Sequence, residues 1–207
     1  EEEETLTGTE VTRYRSIAAR INYMSVDRPG LQFACKMASQ HMSQPNKKSW
    51  ELLTRIAQYV EGAPRLIQRF KWEDMSQEAD AFADSEWAGD KRSLKSTSGG
   101  VIMWGSHVLK SWSTTQSTLA FSSGEAELYA LTKAPIQMTG IMSMAEDFGV
   151  TVNGTVRSVS SAAICIIHRT CLAGRCRHIK VKYLWIQKKN KDLRFEAEKS
   201  IRHREPR

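Results

Sequence analysis

The sequence predicts an α/β protein, a mixed sheet with helices packed on it and a small helical segment in front. Three observations lead there. From Tyr14 to about Tyr59, apolar residues recur three to four apart, the spacing of helices with one buried face. From Ala79 onward, short apolar runs are separated by turn signals, as in strands. Between those runs lies one long, capped helical stretch starting at Ser122, so the predicted order over 79–196 is β-β-β-α-β-α-α-β.

The helical segment, 13–78, rests on Ile17, Ile21 and Met24, then Phe33, Met37 and Gln40, then Trp50, Leu53, Ile56, Ala57 and Val60. Pro29-Gly30 and Pro45-Asn46 separate its helices, and Gly62-Ala63-Pro64 closes the last. Leu66 to Trp72 reads as a short strand and Met75 to Glu78 as a linker. Residues 1–12 are acidic and expected to be disordered.

In the second part, Ala79 to Asp84 is a strand candidate followed by a polar loop. Val101 to Trp104 and His107 to Trp112 flank Gly105-Ser106, a two-residue hairpin signal. On the long helix, Leu128, Leu131, Met138, Ile141, Ala145 and Phe148 line one face. Ser122 and Glu125 form an S-x-x-E capping box, which assigns Glu125 to capping. Pro135 is expected to interrupt and kink this helix, and Gly149 to end it. Thr155 to Val159 reads as a strand, Ser160 or Ser161 as the cap of a helix reaching His168. A helix over His178–Lys188 and a strand near Leu193–Phe195 complete the order, and 197–207 is a basic tail.

The chain has 207 residues and a formal net charge of +7. That length suits one large or two small domains. No stretch approaches the roughly 18 apolar residues of a membrane span, so no membrane partner is expected. EEEETLTGTE lacks the basic-then-apolar pattern of a secretory leader and resembles the cut edge of a longer chain. With four cysteines, this points to a reducing, intracellular setting and free thiols. From Arg157 to Arg207 there are 14 Lys or Arg against 4 Asp or Glu. Such a field suggests nucleic acid as partner; for the last dozen residues a solvated tail is the plainer reading.

Several motifs then fall in a recognisable order. YRSIAARINYMSVDRPGLQFA (Tyr14 to Ala34) and W-x-x-L-x-R-x-x-x-Y-V-x-G (Trp50 to Gly62) are followed by ADSEWAGDKRSLKSTSGGV (Ala83 to Val101). SWSTTQSTLAFSSGEAELYAL (Ser111 to Leu131) and RHIKVKYLWIQ (Arg177 to Gln187) complete the set. Together they resemble the end of copia-type retrotransposon Pol polyproteins, from the tail of reverse transcriptase through the ribonuclease H domain. The resemblance covers about residues 13–195 and implies a ribonuclease H-like five-stranded mixed sheet with flanking helices, over 79–196.

The resemblance also implies a chemistry. In that family, the RNA strand of an RNA–DNA hybrid is cleaved by in-line displacement assisted by two Mg²⁺ ions about 4 Å apart. Hard, octahedral Mg²⁺ takes anionic oxygens, so several carboxylates must converge. Asp84 matches the first position, at the end of the first strand, and Glu127 the second, on the long helix. Glu86 stands where a second Asp is frequent and is assigned to support or surface. The third position, Asp before S-A-A-I, is Val159 here. The fourth, in A-D-x-L-T-K, has no counterpart in EAEKSIRHREPR, where Glu196, Glu198 or Glu205 are weak substitutes. Two carboxylates of four imply little or no cleavage, and the rival reading is a nucleic-acid-binding module without catalysis. The rest of the Pol polyprotein is the other implied partner.

Other clusters have competing readings. Lys91, Arg92 and Lys95 follow the first strand's loop and suit phosphates, or simply a solvated loop. Arg175, Arg177, Lys180 and Lys182 are the better set for hybrid-backbone contact. Cys165, His168, Cys171, Cys176 and His178 loosely resemble a zinc knuckle, but Cys165 lies between apolar residues and is expected in the core. Cys35 is read as packing. Trp104 and Trp112 are read as core in preference to base-stacking platforms, and Trp87 as packing under the site.

Overall fold

The computed structural model describes residues 4–168, 178–179, 181–189 and 193–197. The chain divides into two compact units, Glu1–Phe70 and Lys71–Arg207. The division falls earlier than the 78/79 boundary expected from the sequence.

In the first unit, α1 (Thr9–Met24), α2 (Gln32–Gln40) and α3 (Lys47–Gly62) bury Tyr14, Ala18, Ile21, Leu31, Cys35, Ala38, Leu53 and Ile56. These lie close to the expected apolar positions, and Cys35 is core as expected. Asn46 caps α3: its side chain accepts from the Ser49 N–H, and Ser49 Oγ accepts from the Asn46 N–H. The Tyr14 hydroxyl donates to the Ala38 carbonyl at 2.7 Å, which satisfies its buried oxygen. Residues 9–12, expected to be disordered, form the first turn of α1. Thr5 bridges to Asn46, and the Lys47 N–H reaches the Glu4 carbonyl. Backbone pairing and the Glu4–Lys47 ion pair hold an acidic stretch that charge alone leaves open.

The second unit is built on a five-stranded sheet in the order β3-β2-β1-β4-β5. Its strands are β1 (Glu78–Glu86), β2 (Thr97–Trp104), β3 (His107–Thr115), β4 (Asn153–Ser158) and β5 (Arg194–Ala197). The first three form an antiparallel meander, and β4 and β5 add in parallel, which requires helical crossovers. These are α4 (Ser123–Asp147), α5 (Ser161–His168) and the short α6 (Trp185–Lys189). This is a ribonuclease H-like fold. Ala79, Ala81, Ile102, Leu128, Leu131, Met138, Val156 and Ile167 lie at its dry centre.

The small alanines of β1 let α4 come close, and Gly154 of β4 serves the same end. A Cβ there would lie 2.7 Å from Met138 and 2.6 Å from Leu193. Gly105, with φ +58°, turns the β2–β3 hairpin. Gly149, at φ +77°, ends α4, with the Val150 N–H returning to the Ala145 carbonyl.

Several expectations are corrected. Leu66–Trp72 forms no strand; it has no paired neighbour to complete a ladder. Helix α4 runs unbroken through Pro135, whose ring is fully buried, so tertiary packing offsets the lost backbone bond. Phe148 does not line the core face: it caps the helix at 80% exposure. The helix expected over His178–Lys188 is a turn, a 3₁₀ piece over Val181–Tyr183 and α6. Cys165, expected in the core, is exposed, because Ala163, Ile164 and Ile167 take the inward face of α5. Cys171, Cys176 and the final stretch 198–207 lie outside the described residues.

Candidate active site

Asp84 sits near the C-terminal end of β1 and is exposed. Glu127 sits on the second turn of α4 and is only 9% exposed. The Ser122 cap explains its placement. Ser122 Oγ accepts from the Glu125 N–H at 3.2 Å, which starts the helix where Ala126 and Leu128 can pack on the sheet. Glu127 Oε1 accepts a long bond from the Ser85 N–H, 3.4 Å, while its buried Oε2 meets no hydrogen-bond donor among the described residues.

Burial raises the pKa of Glu127, and repulsion from the Asp84 carboxylate raises it further, to about 7 against an ordinary 4.5. The two carboxyl groups therefore lie close enough to repel each other. A buried oxygen with no donor, facing like charge, is the environment that a cation relieves.

Among the described residues, the other candidate carboxylates do not join them. Val159, just past β4, presents an exposed isopropyl group. The parallel pairing of β1 and β4 ends at Phe82 and Arg157, two residues before Asp84 and Val159. Glu196 is engaged elsewhere: its Oε2 lies 2.6 Å from an Arg157 nitrogen, and the same guanidinium holds Asp80 at 2.8 Å. Glu198 and Glu205 lie outside the described residues. Glu86 folds over Gly89, where a Cβ would lie 2.5 Å from its carboxyl carbon. Among the described residues, no group of three or more His, Cys, Asp or Glu side chains could hold a metal. Among the described residues, the carboxylates brought together here are Asp84 and Glu127.

The basic residues separate into two groups. Lys91 and Arg92 are exposed on the loop between β1 and β2, which Asp90 organises by accepting from the Arg92 N–H. Lys182 is exposed, with Nζ 4.7 Å from the centre of the Tyr183 ring. Arg175, Arg177 and Lys180 lie outside the described residues.

Trp112 is core and Trp104 packs against it, the latter donating its indole N–H to the Ser76 carbonyl. Trp87 does not pack under the site. Its indole N–H donates to the Ala120 carbonyl at 3.0 Å, which holds the ring half-exposed.

The sequence reading missed a second polar centre beside the site. Glu125, 4% exposed, accepts from the Phe121 N–H, the Tyr129 hydroxyl and His178 Nε2. Burial alone would raise its pKa, but these bonds outweigh it and hold the carboxyl below its ordinary range. The capping box is thus shifted by one residue, the carboxylate reaching Phe121 in place of Ser122. Tyr129 stacks on Tyr183 at 4.1 Å, and the Tyr183 hydroxyl meets Thr118 at 2.9 Å. The i, i+4 spacing of Glu125 and Tyr129 was the available signal.

No protein-family model matches the chain. It is 28% identical over 182 residues to the retrovirus-related Pol polyprotein from transposon RE1 of Arabidopsis thaliana, covering 86% of this chain and 12% of that one. It is 26% identical over 176 residues to the retrovirus-related Pol polyprotein from transposon TNT 1-94 of Nicotiana tabacum, covering 84% and 13%. Over most of its length this chain is similar to retrovirus-related Pol polyproteins of transposons. It spans about an eighth of the length of those Pol relatives. It is also 33% identical over 122 residues to secreted RxLR effector protein 161 of Plasmopara viticola, covering 58% of this chain and 85% of that protein. Among solved structures, LC11-RNase H1, isolated from compost, superposes with a TM-score of 0.46 at 16% identity, covering 59% and 85%.

Proposed function

We propose that the Lys71–Arg207 unit descends from a nuclease acting on RNA–DNA hybrids and keeps half of its carboxylate set. The observation that carries this reading is the Asp84–Glu127 pair. Two acids on different elements share a site, and one of them has a buried, donorless oxygen. Asp84 and Glu127 would hold a single divalent cation, Mg²⁺ by its preference for anionic oxygen. When bound, it supplies charge neutralisation at a scissile phosphate.

The chain's own residues supply the rest. The Ser85 N–H fixes Glu127 Oε1 and leaves Oε2 turned to the site. Lys91, Arg92 and Lys182, with Arg175, Arg177 and Lys180, would meet backbone phosphates. Val159 offers no oxygen where a third carboxylate is needed. A missing ligand of this kind costs several kcal/mol of transition-state stabilisation, roughly a thousand-fold in rate. The unit therefore binds hybrid and cleaves it poorly or not at all.

The rival reading, binding without any cleavage, is favoured by the basic surplus over 157–207. The helical segment expected over 13–78 would correspond to the reverse transcriptase connection, and the remainder of a Pol polyprotein would be its natural partner. No helix among the described residues is long and apolar enough to cross a membrane. A labelled RNA–DNA hybrid incubated with the purified chain in Mg²⁺ or Mn²⁺ tests the proposal, with Asp84→Asn as control. The expected result is salt-sensitive binding with cleavage near background. Rapid metal-dependent cleavage lost in the control would overturn the claim of impairment, and absence of hybrid binding would overturn the reading itself.

A further inference from the structure

Two large aromatic side chains flank the candidate site, and neither is placed there by core packing. Trp87 is 51% exposed and Phe121 is 78% exposed. Trp87 follows Asp84 by three residues. Phe121 directly precedes Ser122, the cap of the helix that carries Glu127. The two segments are tied together twice, by the Trp87 indole N–H on the Ala120 carbonyl and by the Ser85 N–H on Glu127.

Each ring is held in position. The indole has its polar edge engaged, so its apolar face stays at the surface. Ala88, the next residue, takes φ +51°, a conformation that non-glycine residues seldom adopt and that surrounding structure must impose. Phe121 is fixed from its backbone, whose N–H donates to Glu125 at 2.9 Å, and its ring meets His178 edge-on at 5.3 Å. Lys91 and Arg92 are exposed on the same loop as Trp87. Flat apolar faces beside cations suit a polyanion that also carries flat faces, which is a nucleic-acid strand.

We propose that Trp87 and Phe121 form a stacking platform that holds the sugars or bases of the strand lying across Asp84 and Glu127. The inference rests on the hybrid-binding reading above. It adds a non-phosphate contact, one that fixes the strand's position and not only its charge.

The test is fluorescence anisotropy of a labelled RNA–DNA hybrid in EDTA, where no metal-dependent cleavage intervenes. The full chain is compared with Trp87→Ala, Phe121→Ala and Trp87→Phe. Each alanine variant should weaken binding about five-fold or more, with the salt dependence unchanged because no phosphate contact is lost. Trp87→Phe should stay within about two-fold, since it keeps a stacking face. Phe121→Ala removes an exposed ring, and an unchanged thermal midpoint shows that the fold is intact.

Alanine variants that both bind within two-fold of the parent would overturn the platform while leaving the hybrid reading standing. A loss in Trp87→Phe equal to that in Trp87→Ala would assign the effect to the indole N–H bond and also overturn it. A parent chain that binds no hybrid would overturn both.

Discussion

Asp84 and Val159 each follow by two residues the last aligned pair of the parallel strands β1 and β4, Phe82 and Arg157. On the proposed function, a carboxylate at 159 is the one that would join Asp84 and Glu127. Glu127 is raised to about 7 by its burial first and by repulsion from the Asp84 carboxylate second.

That pKa has a consequence for stability. A carboxyl group raised in the folded state favours the protonated form. Its contribution is complete below about pH 4.5, the unshifted value, and is lost as pH rises through about 7. Glu127→Gln keeps the shape and an acceptor for the Ser85 N–H without the charge. It should raise the thermal midpoint by a few degrees at pH 8 and change it little at pH 5. Parallel pH profiles for parent and variant would contradict the assignment.

The Glu125 centre should be structural. His178→Ala removes one donor to a buried carboxylate. Because the imidazole is 44% exposed, the cost is discounted to about 1 kcal/mol. Tyr129→Phe strips a donor from the buried side of the same group and should cost more, roughly 1–3 kcal/mol. Urea unfolding of the two variants checks the order, which a larger loss in His178→Ala would reverse.

The loop after β1 stores strain. Ala88 and Leu94 both have positive φ, 51° and 55°. Ala88→Gly should be neutral or stabilising by up to about 1 kcal/mol, relief of strain being partly offset by the freer unfolded chain. Ala88→Val should cost about 1–3 kcal/mol, since a β-branched residue fits that region poorly. Equal midpoints for both variants would show that the conformation is not imposed.

The β2–β3 hairpin depends on a close approach. A Cβ on Gly100 would lie 2.1 Å from the Trp112 ring. Gly100→Ala should therefore displace the indole and destabilise the unit by about 1–3 kcal/mol. Trp112→Phe combined with Gly100→Ala should recover part of that loss, which calorimetry would detect.

Much of the frame of the unit was legible because short-range chemistry writes it. Ser122 announced the helix and the short apolar run from Ala79 announced β1, whereas Asp84 and Glu127 follow from the resemblance of the ordered motifs and stay part of the proposed function. What failed was decided by tertiary context. Pro135 reads as a break, yet the packed core of α4 holds it in a continuous helix. Leu66–Trp72 has strand composition without a neighbouring strand. His178 looked like a possible zinc ligand; it bonds Glu125, a residue 53 positions away. No local pattern encodes that pairing. Trp87 looked like packing because aromatics favour cores, but its indole N–H finds its partner at the surface.

The central claim is that an otherwise intact pair, Asp84 and Glu127, lacks one neighbouring carboxylate. The most direct measurement is the rate of hybrid cleavage in Mg²⁺ by Val159→Asp against the parent chain, with Val159→Asp/Asp84→Asn as control. The account predicts that the single variant gains metal-dependent cleavage at least ten-fold above the parent and that the control loses it. A parent already cleaving as fast as Val159→Asp, or a Val159→Asp variant that binds hybrid and remains inert, would contradict it.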